Sequence, residues 1–309
     1  MMITPDVIGI DVSKHHLDIF DGATAKTTRL QNQPEAIETW VGTLGEDRLV
    51  IFEATGAYDA ALRSALTKAG VAFARVNPTT ARSFARAAGF LAKTDQVDAR
   101  MLGAMGAALR PRPAEPTSAA GERLARLHKR RDQLVAHRKQ ERTRRRETCE
   151  AELLASLDRH LAFLDAEIEA LEITLAELIA AEPALKRDAT LLVSAPGFGP
   201  RVSACLLALL PELGRRSPKT IAARVGLAPI NRDSGLRRGQ RSIRGGRKRV
   251  RDALYMAAVA AVRSKSRFRA DYQRLRAAGK PSKLALIAIA RKLLIVANAI
   301  IRDQQPFAA

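Results

Sequence analysis

The chain has 309 residues, with 52 Lys plus Arg against 32 Asp plus Glu and a formal net charge of +20. That length suits two or three domains, and the charge makes a polyanion the default partner and excludes an acidic solvating tail. Only 4% of residues are aromatic, too few for base stacking on exposed rings to be the main binding mode.

Residues 6–20 hold two short β-branched runs around a polar break, which predicts a hairpin with Asp11 inside the first strand. Gln33–Leu44 has helical spacing through Ile37, Trp40, Val41 and Leu44. Arg48–Glu53 reads as a buried strand, Tyr58–Ala69 as a helix, and Val71–Val76 as a strand closed by Asn77-Pro78. Strands alternating with helices indicate an α/β domain over residues 1–112.

Three prolines in Pro111–Pro116 read as a linker. The next segment, 117–183, begins with an Arg-rich helix whose stretch Arg123–Arg146 holds eleven basic residues. It continues through heptad-spaced Leu153, Leu157, Leu161, Leu164, Ile168, Leu171, Leu175 and Leu178, a coiled-coil pattern that ends at Glu182-Pro183. A hairpin within one chain and a helix shared between protomers are both open. Residues 188–309 read as all-α, broken by the turn Ala195-Pro-Gly-Phe-Gly-Pro200. That turn is like a helix-hairpin-helix, in which Gly197 and Gly199 would approach a DNA phosphate.

Charge rises along the chain. Residues 1–110 carry 12 basic and 12 acidic side chains, residues 111–230 carry 20 and 16, and residues 231–309 carry 20 and 4. Cys149 and Cys205 lie far apart with no metal-ligand spacing, and His15, His16, His128, His137 and His160 form no ligand pattern. No signal-peptide pattern and no uninterrupted apolar span is seen, so a cytoplasmic, nucleoid-associated protein without a membrane partner is expected.

Four carboxylates stand out. Asp11 is mid-strand, where a lone charge is costly. Glu53 ends a strand, and Asp95 and Asp98 lie three residues apart on one helical face, with Thr94 or Asp95 as N-cap. Converging carboxylates are what one or two Mg²⁺ ions need, because hard cations take oxygen ligands. A solvated helix start and an edge-strand acid are the plain alternatives.

Ile8-Gly-Ile-Asp-Val-Ser-Lys14, Phe52-Glu-Ala-Thr-Gly56 and Lys93-Thr-Asp-Gln-Val-Asp-Ala99 resemble the DEDD motif of a RuvC-like domain with the RNase H fold. They are similar, in order and context, to insertion-sequence transposases of the Piv/MooV type, the family numbered 110. The turn at 195–200, Val225-Gly-Leu-Ala-Pro229, Asp233-Ser-Gly235 and Arg247 through Ala258 resemble that family's C-terminal domain. The chain departs from it at Arg244-Gly-Gly-Arg247, where Lys, Gly and Asn are usual.

The resemblance implies Asp11, Glu53, Asp95 and Asp98 as catalytic metal ligands. It also implies Ser234 as a nucleophile forming a phosphoserine–DNA intermediate, although the residues alone read Asp-Ser-Gly as an ordinary turn. It implies double-stranded donor and target DNA, a structured guide (the bridge RNA), and a dimer or tetramer as partners. Phosphate contacts are expected from Arg232, Arg237, Arg238, Arg241, Arg244, Arg247 and Lys248, and from Lys129, Arg130, Arg131, Arg142, Arg144 and Arg145 on the Arg-rich helix. The rival readings are a RuvC-like nuclease or junction resolvase using metal-activated water, and a non-catalytic nucleic-acid-binding coiled-coil protein.

Overall fold

A computed structural model describes residues 6–45, 47–54, 56, 58–90, 92, 94–115, 117–231, 239 and 241–308. The chain divides into two compact units, Met1–Pro116 and Thr117–Ala309.

In the first unit, β1 (Val7–Val12), β2 (His16–Asp21) and β3 (Lys26–Gln31) form an antiparallel meander. Then come α1 (Pro34–Val41), β4 (Leu49–Glu53), α2 (Ala60–Lys68), β5 (Ala72–Val76), α3 (Pro78–Ala87) and α4 (Asp95–Leu109). The sheet order is β3-β2-β1-β4-β5, with β4 parallel to both β1 and β5. The N-terminal hairpin, the first two helices and the strands β4 and β5 fall where the sequence places them. Strand β3 was not anticipated. Its sequence, Lys-Thr-Thr-Arg-Leu-Gln, is polar and mostly exposed, because it lies at the edge of the sheet.

Side chains alternate across the sheet. Ile8, Ile10, Leu17, Ile19, Val50 and Phe52 pack with Ile37 of α1 and Leu62 and Leu66 of α2. Val7, Ile51, Ala74 and Val76 pack on the opposite face with Met101, Leu102 and Met105 of α4. Each such fully buried aliphatic chain contributes roughly 1.5–3 kcal/mol.

In the second unit, α5 (Ala119–Glu147) and α6 (Ala151–Ala181) fold back on each other as an antiparallel hairpin. The rest is α7 (Pro183–Val193), α8 (Pro200–Leu209), α9 (Pro218–Val225), α10 (Lys248–Arg263), α11 (Arg267–Ala277) and α12 (Ser282–Asp303). The hairpin resolves the orientation that the heptads left open. Ion pairs Arg145–Asp158, Arg138–Asp165 and Arg131–Glu172 recur at seven-residue steps in opposite senses along the two helices. Leu164, Ile168 and Leu175 are buried as expected of the leucine ladder, but Leu153 is 54% exposed and is not core.

Leu124, Leu175 and Ala208 share one cluster, which ties the hairpin to α8. The larger core gathers Leu206, Val250, Leu254, Phe268 and the α12 residues Ile289, Leu293, Leu294 and Ala297. Helix α12 is long and apolar enough to cross a membrane by length and composition, yet these residues form the centre of its own unit.

Candidate functional site

Gly9 and Asp11 are two residues apart on β1, so both face α4. A Cβ on Gly9 would lie 2.1 Å from the Ala99 carbonyl oxygen and 2.2 Å from the Gly103 amide nitrogen. Glycine at both contact points therefore lets α4 lie directly on the central strand. A Cβ on Gly106 would meet Ile51 and Val7 within 2.7 Å, which continues the close approach one turn further on. The helix thus crosses β1 with its N-terminal end toward Asp11. Thr94 caps that end, its hydroxyl accepting from the Val97 amide at 3.3 Å. Asp95 and Asp98 occupy the first turn, where the helix dipole favours negative charge.

Four carboxylates act on Asp11. Burial first, then Asp98, Asp95, Glu53 and Asp18 in that order, push its carboxyl up from 3.8 to about 6. The structure therefore brings Asp11, Glu53, Asp95 and Asp98 into one electrostatic neighbourhood. It also adds two residues that sequence reasoning missed, Asp18 and Arg29. Asp18 pairs with Asp11 across β1/β2 and with Arg29 across β2/β3. Arg29 donates to both Asp18 oxygens at 3.1 and 3.0 Å, and to Asp95 Oδ2 at 3.1 Å. The signal was the period-two alternation of the hairpin, legible only once β3 is known to pair.

The donor set is all oxygen, which suits a hard divalent cation. As the side chains stand, no group of three His, Cys, Asp or Glu among the described residues is set to hold a metal ion.

The predicted nucleophile Ser234, with Arg232, Arg237 and Arg238, lies outside the described residues. An isolated bridge joins Ile230 to Ser242, with the Ile230 amide donating to the Ser242 carbonyl at 2.9 Å. Downstream, Arg241 and Arg244 are exposed. Arg247 is ion-paired at 2.7 Å to Glu212, which is 2% exposed, and Lys248 is paired to Asp252 at 2.6 Å. Burial raises Glu212, but Arg247 and Arg224 outweigh it and hold its carboxyl below the ordinary range.

On the Arg-rich helix, Arg131, Arg142, Arg144 and Arg145 have acidic partners in the hairpin. Lys129 and Arg130 have none among the described residues. Gly197 has a left-handed φ of +84°, and a Cβ there would lie 2.2 Å from the Ala257 carbonyl, so packing against α10 alone requires glycine. Gly199 faces open space. His128, given no role by the sequence, is 4% exposed with Nδ1 3.4 Å from Asp132.

Residues 8–151 match a model of DEDD transposases of the IS110 type, and residues 189–273 match the Transposase IS116/IS110/IS902 family. The DEDD match implies dependence on a divalent metal. The pilin gene-inverting protein of Moraxella lacunata is 31% identical over 97% of both chains, and that of Moraxella bovis is 30% identical over the same share. The insertion element IS110 uncharacterized 43.6 kDa protein of Streptomyces coelicolor is 32% identical over 49% of this chain and 37% of its own. With acid-bearing strands beneath a capped helix in one unit, a basic helical second unit, and relatives that match from end to end, the chain belongs to the IS110-type transposase and recombinase family and is a DNA recombinase.

Proposed function

We propose that the chain excises and inserts its own insertion sequence through a RuvC-like DEDD site that holds Mg²⁺ and a serine nucleophile, Ser234, with a structured bridge RNA choosing the DNA. The observation that carries the first part is the convergence on Asp11. It stands on the central strand under α4, and its carboxyl is raised by burial and by the other three acids. The mixed sheet with Asp11 on its middle strand and Glu53 at the end of the next supports the RuvC-like reading.

Asp11, Glu53, Asp95 and Asp98 would hold one or two Mg²⁺ ions, which in phosphodiester chemistry offset the charge on attacking and leaving oxygens. Arg29 would hold Asp18 and steady Asp95 from the side of β3. In the serine step, Oγ of Ser234 forms a bond to phosphorus as the bond to the leaving deoxyribose oxygen breaks, and the hydroxyl proton passes to solvent water, since no histidine adjoins Ser234 in the sequence. The phosphoserine keeps the bond energy, so the strand can be rejoined without a nucleotide cofactor. The guanidiniums of Arg232, Arg237 and Arg238 are adjacent in sequence to stabilise the phosphorane charge. A homo-oligomer, dimer or tetramer, would present the two sites that two duplexes require.

A second reading shares this chemistry. The relatives matched over 97% of the chain are named pilin gene-inverting proteins, which favours inversion of a DNA segment between fixed ends.

The test is a covalent-adduct assay in cells carrying the element, with protein–DNA complexes recovered under denaturing conditions. Adducts are expected with the wild type and absent with Ser234→Ala and Asp11→Ala. Recombination that proceeds without adducts and survives Ser234→Ala would assign the chemistry to metal-activated water. Sequencing the junctions separates an excised element from an inverted segment.

A further inference from the structure

A second basic feature lies at the corner between α10 and α11, beside the turn at 195–200. A cavity of about 350 Å³ there is lined by Pro196, Lys265, Arg267, Arg269, Gln273 and Phe307. Pro196 belongs to the glycine-bearing turn, which is pressed on α10 at Ala257 and Ala261 through Gly197. Phe307 comes from the residues after α12. Its amide donates to the Ser194 hydroxyl at 2.8 Å, which fixes it beside the same turn.

The walls are built rather than loose. Arg267 lies over the Phe307 ring at 4.7 Å and over the Phe268 ring at 5.4 Å, and the two rings stack at 6.0 Å. A guanidinium held on two rings has lost much of its rotamer freedom before any ligand arrives. Lys265, Arg267 and Arg269 are exposed, and none has an acidic partner among the described residues.

The local electrostatics are adverse without an anion. Three cations within five residues sit at the N-terminal end of α11, the positive end of its dipole. The first turn of α11 carries no acid to offset them. The N-cap, Ser266, does not cap it. Its hydroxyl donates back to the Ala261 carbonyl at 2.9 Å, as the Ser264 hydroxyl does at 2.8 Å. The Arg269 amide is taken by the Ser266 carbonyl at 3.0 Å, which leaves those of Arg267 and Phe268 for another acceptor. Such a conflict between local charge and helix polarity is expected where a bound group resolves it.

We propose that this cavity is a phosphate-gripping site for a nucleic-acid backbone, made by residues other than the DEDD acids and residues 232–238. Lys265, Arg267 and Arg269 supply the charge, and the first amides of α11 supply hydrogen bonds. The inference rests on the reading that the chain acts on nucleic acid.

The full-length protein is titrated with a duplex DNA and with an RNA hairpin at several salt concentrations. The variants are Lys265→Ala/Arg269→Ala, which leaves the stacked arginine in place, and the triple variant that adds Arg267→Gln. A charge-matched control, Arg276→Ala/Lys280→Ala/Lys283→Ala, removes three cations from the far end of α11, the turn after it and the start of α12. The triple variant should lose on the order of ten- to a hundredfold in affinity, with the slope of log K against log salt reduced by about 2 to 3. The control should lose much less. A loss confined to the duplex names DNA as the source of the phosphate, and a loss confined to the hairpin names RNA. A triple variant that matches the wild type, or a control that loses as much, overturns the site while the wild type still binds. A wild type that binds neither probe overturns the underlying reading together with the site.

Discussion

Asp11 stands directly opposite Asp18 in the β1/β2 pair, and of these two acids Asp18 alone is bonded to Arg29. Like charges opposite one another on a strand pair are destabilising. Asp18, 2% exposed, is made tolerable by a bidentate guanidinium, while Asp11 has no cation beside it among the described residues. The Asp11 carboxylate is therefore held at an electrostatic cost.

Asp11→Asn should raise the stability of the metal-free protein at neutral pH. The folded-state carboxyl titrates at about 6 rather than 3.8, so its penalty is absent below the lower value, grows between the two, and is complete above the higher. With Asp11 part-exposed, the gain is on the order of 1 kcal/mol after allowance for solvent screening. Urea unfolding with a chelator present checks it: the two proteins should coincide near pH 4 and part by neutrality. A variant less stable than the wild type at neutral pH would mean that Asp11 already has a cationic partner. Adding Mg²⁺ should stabilise the wild type and not the variant.

Gly9→Ala should damage fold and metal site together. The new methyl would meet backbone atoms of Ala99 and Gly103 at 2.1 and 2.2 Å, and these cannot swing aside as a side chain can. Helix α4 must retreat from β1, at about 1–3 kcal/mol. Asp95 and Asp98 travel with it, so Mn²⁺ binding measured by calorimetry should weaken beyond what the melting temperature alone accounts for. Gly42→Ala is the control, since its methyl would come no closer than 3.4 Å to anything and its φ is ordinary. Equal Mn²⁺ affinity in Gly9→Ala and wild type would show that the approach of α4 does not set the acid geometry.

Local signals carried the first unit. The alternation around Asp11, the buried run before Glu53 and the Thr94 cap are each written within a few residues, and the structure places them accordingly. Strand β3 was hidden because an edge strand with polar side chains looks like a loop, and Arg29 was lost with it. In the second unit, leucine heptads announce a coiled coil without saying which way its partner runs. The arginines at 131, 138 and 145 and the acids at 158, 165 and 172 share the same seven-residue step, but they become a ladder only when the chain folds back between them. His128 was passed over because a lone histidine on a charged helix carries no mark of burial.

That ladder should be strongest where it is least exposed. Arg131 and Glu172 are 17% and 23% exposed, whereas Arg145 and Asp158 are 48% and 50%. Glu172 also accepts from Arg201 of α8 at 2.7 Å, so it joins three helices. A double-mutant cycle on Arg131–Glu172 should give about 1 kcal/mol or more, and one on Arg145–Asp158 a distinctly smaller coupling. Glu172→Ala alone should cost more than either coupling energy, since it leaves two guanidiniums facing each other. Equal couplings at both ends would mean that burial plays no part in fixing the register.

The most acid-sensitive joint should be Asp132. It lies on α5, where Arg249 of α10 binds both its oxygens and the His128 ring approaches at 3.4 Å. Burial raises its carboxyl, but His128 and Arg249 outweigh burial and hold it at about 2. The folded value lies below the ordinary 3.8, so its stabilisation is present above that value and is lost as pH falls toward 2. Asp132→Asn should cost on the order of 1 kcal/mol at neutral pH, and the difference from wild type should narrow by about half as pH falls to about 3. Thermal unfolding from neutrality down to about pH 3 tests this, with Asp158→Asn as a comparison at the half-exposed pair with Arg145. If Asp132→Asn kept its full deficit in acid, lost packing or hydrogen bonding would be the cause, because a missing charge can only matter where the wild-type carboxylate is ionised.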